Sequence, residues 1–217
     1  MTAGSPSART RVKICGITRP EDGLEAARLG ADAIGLAFYA PRPRAVSVGR
    51  AAEIAACLPP FVTRVGLFVD ALPAEIEAVL AAVPLDLLQF HGDETEAECV
   101  RFGYPYLKAV SMRPDRDVVA ALRAYPSANG FLLDAYHPAV PGGSGESFDW
   151  RRVPTDRPRP IVLAGGLTPD NVADAVRAVR PYAVDVSSGV EAAKGIKDVT
   201  KMAEFIRGVQ RGDESGA

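Results

Sequence analysis

Three shortages bound what this chain can be. Cysteine is scarce: only Cys15, Cys57 and Cys99 occur in 217 residues, with neither a CxxC pair nor a Cys/His ligand spacing. An odd count without such spacing supports neither a disulfide framework nor a zinc site. An excess of charge of one sign is missing too. Lys and Arg number 25 against 27 Asp and Glu, a formal net charge of −2, which gives no electrostatic case for nucleic acid or an anionic membrane. Long apolar runs are also absent. Nothing approaches the roughly 20 residues that span a bilayer, and Met1 to Arg9 has no hydrophobic stretch of the export-signal kind. A reducing, cytoplasmic setting is the expectation.

What remains is an ordinary globular composition, 47% hydrophobic and 24% charged. At this length one domain is the simplest division. It is expected over residues 11–209, between a tail of residues 1–10 and a flexible tail of residues 210–217.

Short Val/Ile/Leu/Phe-rich runs recur along the domain: Val12–Ile17, Ala33–Phe38, Arg64–Val69, Leu87–His91, Tyr106–Met112, Gly130–Ala135, Ile161–Ala164 and Ala183–Val186. Helical patterns fall between them. Thr18 and Glu21 have capping-box spacing before Leu24, Ala27 and Leu29. Ser47 is placed to cap Val48–Cys57, Pro73 opens Ala74–Ala82, and Asp93 with Glu96 opens a helix to Phe102. Asp115–Tyr125, Asn171–Val179 and Lys197–Val209 follow. Only the connection before Ile161 lacks a long helix; Phe148–Arg151 reads as a single turn. Eight alternating units in this length predict an α/β fold, a (β/α)8 TIM barrel near its lower size limit. An open doubly wound sheet would show the same local alternation, but no charged edge strand is evident.

One stretch carries chemistry on its face. Ile161–Ala164 is uninterruptedly apolar, as in a strand buried on both sides. Gly165 and Gly166 follow, then Thr168 as a candidate N-cap and Pro169 at the first helical position. Uncovered amides at a helix N-terminus attract anions. Val184–Val186 followed by Ser188 and Gly189 repeats the plan, so two neighbouring strand ends would form one phosphate cradle. In a barrel, phosphate commonly sits after strands seven and eight.

The other strand ends supply candidates for the reaction. Cys15, followed by Gly16, ends the first run; a free cysteine is often a small buried hydrophobe, but as thiolate it is a nucleophile or general base. Cys57 and Cys99 lie on helical patterns and read as core. Asp134 ends the sixth run, either as a loop cap or as a general acid that burial among apolar neighbours would keep protonated. Arg44 or Arg42 could grip a carboxylate bidentately; the spacing does not choose, and a solvated loop arginine is the alternative. His91 is a core histidine or a substrate contact, and His137 a loop residue. Asp185 points into the barrel or pairs with Lys13.

Together these residues make the chain resemble the phosphoribosylanthranilate isomerase family, barrel enzymes of tryptophan biosynthesis. The resemblance rests on Lys13–Thr18, Ala31–Gly35, Phe38-Tyr39 with Pro43-Arg44, Val65–Val69, Leu88–Glu94, Leu133-Asp134, Gly142–Gly145 with Phe148–Trp150, Leu163–Asn171 and Val184–Glu191. It runs from about residue 11 to 208 in a single order. Departures lie in loops: Ala40-Pro41-Arg42, Ala45, and Tyr136–Val140 before Gly142. The resemblance implies an Amadori rearrangement of N-(5-phosphoribosyl)anthranilate without metal or organic cofactor. It implies Asp134 as general acid and Cys15 as general base. Arg44 would stand at the anthranilate carboxylate, and Gly165, Gly166, Ser188 and Gly189 at the phosphate; His91 and Asp185 are candidate substrate contacts by their strand-end positions alone. The expected partner is therefore a small phosphorylated molecule, with no nucleic acid or membrane, bound by a monomer or homodimer. A related histidine-pathway barrel isomerase would use a carboxylate pair, which Cys15 opposite Asp134 does not match. A silent phosphate-binding barrel would have lost the acid or the base.

Overall fold

A computed structural model describes residues 9–40, 42–135 and 148–214. Eight parallel strands close into a barrel in sequence order. They are β1 (Arg11–Cys15), β2 (Ala33–Ala37), β3 (Thr63–Phe68), β4 (Leu87–Phe90), β5 (Tyr106–Ser111), β6 (Gly130–Asp134), β7 (Ile161–Leu163) and β8 (Ala183–Val186). Closure is made by β1 on β8, with Lys13 opposite Asp185, while Cys15 lies opposite Gly35 on the other side of β1. The open sheet is thereby excluded. The outer layer is α1 (Pro20–Leu29), α2 (Val48–Cys57), α3 (Pro73–Ala82), α4 (Glu96–Val100), α5 (Val118–Arg123), α6 (Val172–Val179) and α7 (Val199–Glu214). Between β6 and β7 the described residues hold only a 3-10 turn, Trp150–Arg152. No described helix is long and apolar enough to cross a membrane.

Strand parity separates two interiors. Alternate residues point to opposite faces of a strand, so Val12, Ile14, Ile34, Phe131, Leu133, Leu163 and Val184 pack outward against the helices in one large core. Leu107, Ala109, Leu132, Val162, Ala164 and Ala183 turn inward and fill the barrel in a smaller one. The same inward parity carries Lys13, Cys15, Gln89, Asp134 and Asp185 to the barrel's axis above that plug.

Several helix starts differ from the sequence expectation, for a common reason. The Thr18 hydroxyl donates to the Gly195 carbonyl instead of capping α1, which begins at Pro20 without a side-chain cap. In α4 the capping box is Thr95 with Glu98, not Asp93 with Glu96; the Asp93 N–H instead donates to the Asp70 carboxylate. Thr168 does not cap α6. Its N–H donates to the Asn171 side chain at 2.8 Å, whose amide donates to the Gly166 carbonyl at 2.9 Å, and the helix begins at Val172. The helix expected over Asp115–Tyr125 is confined to Val118–Arg123, capped by Asp117.

The chain ends also differ. The last helix was expected from Lys197, but Ile196–Lys197 is a strand, β10, paired antiparallel with β9 (Glu191–Ala193). α7 then runs past residue 210 to Glu214, so residues 210–214 are no flexible tail. Gly208 and Gly212 let it lie on α6: a Cβ on Gly208 would stand 2.6 Å from Val172, and one on Gly212 2.7 Å from Val176. Asp213 accepts from the Thr10 N–H at 2.9 Å and its hydroxyl at 2.7 Å. Arg9 pairs with Asp32, so residues 9 and 10 belong to the fold. Residues 1–8, Pro41, the segment 136–147 with His137 and Gly142–Gly145, and residues 215–217 lie outside the described residues.

Candidate active site

At the carboxyl ends of the strands lies a cavity of about 400 Å³. Its wall includes Cys15, Arg44, His91, Asp134, Gly165, Gly166, Asp185 and Ser188, so residues from the ends of six strands meet around one space. Arg42 also reaches it. Gly189 sits just behind Ser188 in a 3-10 turn, Ser188–Val190, where a Cβ would collide with the Leu167 carbonyl oxygen.

The glycine end of β7 has a backbone only glycine holds without strain. Gly165 and Gly166 take φ of 83° and 64°, and a Cβ on Gly165 would run into the Ala135 N–H and approach the Asp134 carboxylate. The turn therefore brings backbone amides close to both the β6 end and the 3-10 turn after β8.

Asp134 is buried at the mouth of β6 and meets the His91 ring, Oδ2 to Nε2 at 3.2 Å. The other ring nitrogen faces the Gln89 amide nitrogen at 3.0 Å. If that amide donates to Nδ1, the ring hydrogen lies on Nε2 and points at Asp134. Gln89 is wholly buried, and its Oε1 has no partner among the described residues. His91 is thus neither a plain core residue nor only a wall of the cavity: it touches the candidate acid.

Cys15 lies at the end of β1 among charges. Burial pushes its thiol up, Lys13 and Lys197 pull it down and Asp185 pushes it up, leaving it above the ordinary thiol value. Asp185 makes the pair with Lys13 at 2.7 Å, both side chains nearly inaccessible, and still forms part of the cavity wall. Both readings of Asp185 therefore hold. Cys57 is half-buried on α2 and donates toward the Ile54 carbonyl at 3.1 Å. Cys99 is fully buried on α4, where burial first of all pushes its thiol to about 12.

Arg44 is fixed by a residue the sequence reading did not single out. Its Nε and Nη2 reach the two oxygens of Glu191 at 2.7 and 2.8 Å, which leaves Nη1 for the cavity. Glu191 is also bound by Lys197 at 3.0 Å, and Lys197 donates to the Ser187 carbonyl at 3.1 Å. Burial works to raise the Glu191 carboxyl, and Arg44 and Lys197 outweigh it, so it lies below the usual carboxylate range. The β9–β10 hairpin thus ties the arginine over the cavity to the loop after β8. The sequence signal for that hairpin is Lys194-Gly195 between two short runs, with Gly195 at φ 79°. Nothing in the spacing marks Glu191 as the partner of an arginine 147 residues earlier.

Comparison with known proteins agrees with this geometry. Residues 12–208 match the family model of N-(5'-phosphoribosyl)anthranilate (PRA) isomerase. An N-(5'-phosphoribosyl)anthranilate isomerase of Pseudomonas aeruginosa is 60% identical over 207 residues, covering 94% of this chain and 98% of that protein. The crystal structure of phosphoribosyl anthranilate isomerase from Thermotoga maritima superposes with a TM-score of 0.86 at 43% identity, covering 93% of this chain and 98% of the other. A second solved isomerase, in complex with reduced 1-(o-carboxyphenylamino)-1-deoxyribulose 5-phosphate, has a TM-score of 0.82 at 42% identity, with the same coverage of both chains.

Proposed function

The chain belongs to the N-(5'-phosphoribosyl)anthranilate isomerase family, and from that premise we propose how its cavity performs the reaction. The enzyme is an isomerase of tryptophan biosynthesis. It converts N-(5'-phosphoribosyl)anthranilate to 1-(2-carboxyphenylamino)-1-deoxyribulose 5-phosphate, an aldose-to-ketose change in which hydrogen moves within one molecule. A solved relative holds the reduced form of that product. The finer class, an intramolecular oxidoreductase working without a cofactor in the cytoplasm, is part of the proposal.

The observation that carries the reading is the shared cavity of Cys15 and Asp134 beside the glycine end of β7. Asp134 gives a proton to the furanose ring oxygen as the C1′–O4′ bond breaks, and the anilino nitrogen lone pair forms the Schiff base. Cys15, as thiolate, takes the C2′ proton; the C–H electrons become the enolamine double bond, and the iminium pair returns to nitrogen. Tautomerisation of the enolamine gives the ketone. The Arg44 Nη1 is available to the anthranilate carboxylate, and the Gly165, Gly166, Ser188 and Gly189 backbone to the phosphate, as at other uncapped amide turns. His91 steadies Asp134, and Asp185 faces the sugar. Each positioned proton transfer contributes about 10²–10⁴ in rate, and binding the remote phosphate orients the reacting carbons.

The test is turnover of freshly generated phosphoribosylanthranilate, followed by loss of its fluorescence, in the wild type, Cys15→Ser and Asp134→Asn. Each variant is expected to stay folded and lose about 10²–10⁴ in kcat. A folded Cys15→Ser with near wild-type kcat would remove the base assignment. A wild-type chain that binds a sugar phosphate but does not turn over substrate would favour the silent barrel.

A further inference from the structure

We propose that Lys13 is the electrostatic partner of the Cys15 base, brought towards the thiol by the missing side chain of Gly35 and paired with Asp185. The proposal rests on Cys15 being the base, and it adds the group that decides whether that base is ever charged.

Lys13 and Cys15 are two apart on β1, so both turn to the barrel interior. Residues two apart on a strand are neighbours on one face, and how closely their ends approach depends on the side chains beside them on the next strand. Here that neighbour is Gly35, the register partner of Cys15 on β2. A Cβ built at Gly35 would lie 2.7 Å from the Cys15 Sγ and 3.2 Å from the Lys13 Nζ. Both atoms therefore border the hollow that the glycine leaves.

Lys13 is itself 3% exposed. A lone buried ammonium would tend to lose its proton. Burial does work to lower it, but Asp185 and Cys15 outweigh burial and raise Lys13 above the ordinary lysine value. It stays a cation in the working range. The groups facing the thiol are then Lys13 on β1, Asp185 on β8, Lys197 on β10 and Arg44 from the loop after β2. Each of the three cations has a carboxylate partner, and Lys13 is the one that shares the Gly35 hollow with the sulfur. A cation beside a thiol favours the thiolate, here against a burial term that pushes the other way.

The arrangement also gives Asp185 a defined part. By pairing with the ammonium it keeps Lys13 charged, and as an anion it disfavours a second negative charge on Cys15. The thiol is kept as a base of more than ordinary basicity, one strong enough to take a proton from carbon.

The test is the pH dependence of Cys15 alkylation by iodoacetamide, read on the Cys15 peptide by mass spectrometry so that Cys57 and Cys99 do not contribute. Lys13→Met is expected to move the midpoint upward by a unit or more, which is a loss of about tenfold or more in rate at fixed pH below the midpoint. Asp185→Asn is expected to move it downward. Gly35→Ala, which parts sulfur and ammonium, should resemble Lys13→Met. An unchanged midpoint in a folded Lys13→Met would overturn the proposal, because the thiol would then not feel the ammonium. If Lys13→Met does not fold, the pair-removing Lys13→Met/Asp185→Asn is compared with Asp185→Asn, and equal midpoints overturn it as well. The base assignment is separable: full turnover by enzyme alkylated at Cys15 would end that reading, wherever the midpoints lie.

Discussion

The two ends of the barrel handle charge in opposite ways. At the carboxyl ends of the strands, Lys13–Asp185 and Glu191–Lys197 are nearly inaccessible, and the partly buried Arg44 is locked onto Glu191. At the amino ends, ion pairs stay near the surface: Arg64 meets Asp86 at 2.7 Å with about a third of each side chain exposed, and Arg11 lies over the Tyr182 ring at 4.2 Å. That end has a hollow as well, about 630 Å³ between Leu58–Arg64 and Asp86. It is larger than the candidate active site, yet its two charged groups are bonded to each other. Volume does not mark the site; buried charge that has a cavity in front of it does. Buried ion pairs are costly to assemble and add little net stability, so their concentration at one end reflects what must be held there for chemistry.

The largest effect on stability should come from breaking the interlock. Glu191→Ala leaves the wholly buried Lys197 without its carboxylate, and loss of one partner of a buried pair costs about 3–5 kcal/mol. Thermal melting measures it, and KM for the substrate should rise as Arg44 loses its hold. A variant that melts like the wild type would erase the contrast between the two ends. Next is Gly165→Ala. Its φ of 83° and the collision with Ala135 predict about 1–3 kcal/mol of destabilisation, together with a raised KM if the turn cradles phosphate.

Acid should act on the top of the barrel in a defined window. The Glu191 carboxyl is lower in the fold than in the unfolded chain. Its contribution is therefore complete above the unfolded value of about 4.3 and drains away as pH falls through the folded one. Denaturant titrations at pH 3 to 6 should show that slope in the wild type and a shallower one in Glu191→Gln. The smallest effect is expected at the other end, where Arg64→Ala should cost about 0.2–1 kcal/mol and leave kcat and KM alone. A change in kcat there would mean the two ends are coupled.

The eight strands were legible because each is a short apolar run between capping and turn residues, and burial on both faces leaves little choice of what they form. Helix starts were less so. Thr18, Asp93 and Thr168 are good caps by type, but the Thr18 hydroxyl goes to Gly195, and the Asp93 and Thr168 N–H groups are bound by Asp70 and Asn171 in turns ahead of the helices. The same division runs through the site. Cys15, Asp134 and the glycines of Gly165-Gly166 stand at strand ends and could be read from the chain alone. Glu191, Lys197 and Gln89 could not, since each is defined by a partner rather than by its own neighbourhood.

Lys13 and Asp185 are 172 residues apart, the first strand bonded to the last. A chain emerging from the ribosome at about 5–20 residues per second carries its thiol for most of that time without the carboxylate that completes its surroundings. The ring cannot be closed by any subset of its units, since β1 has its final neighbour only when β8 arrives. Fragments ending before Asp185 should accordingly be silent, and the enzyme should switch on late and all at once.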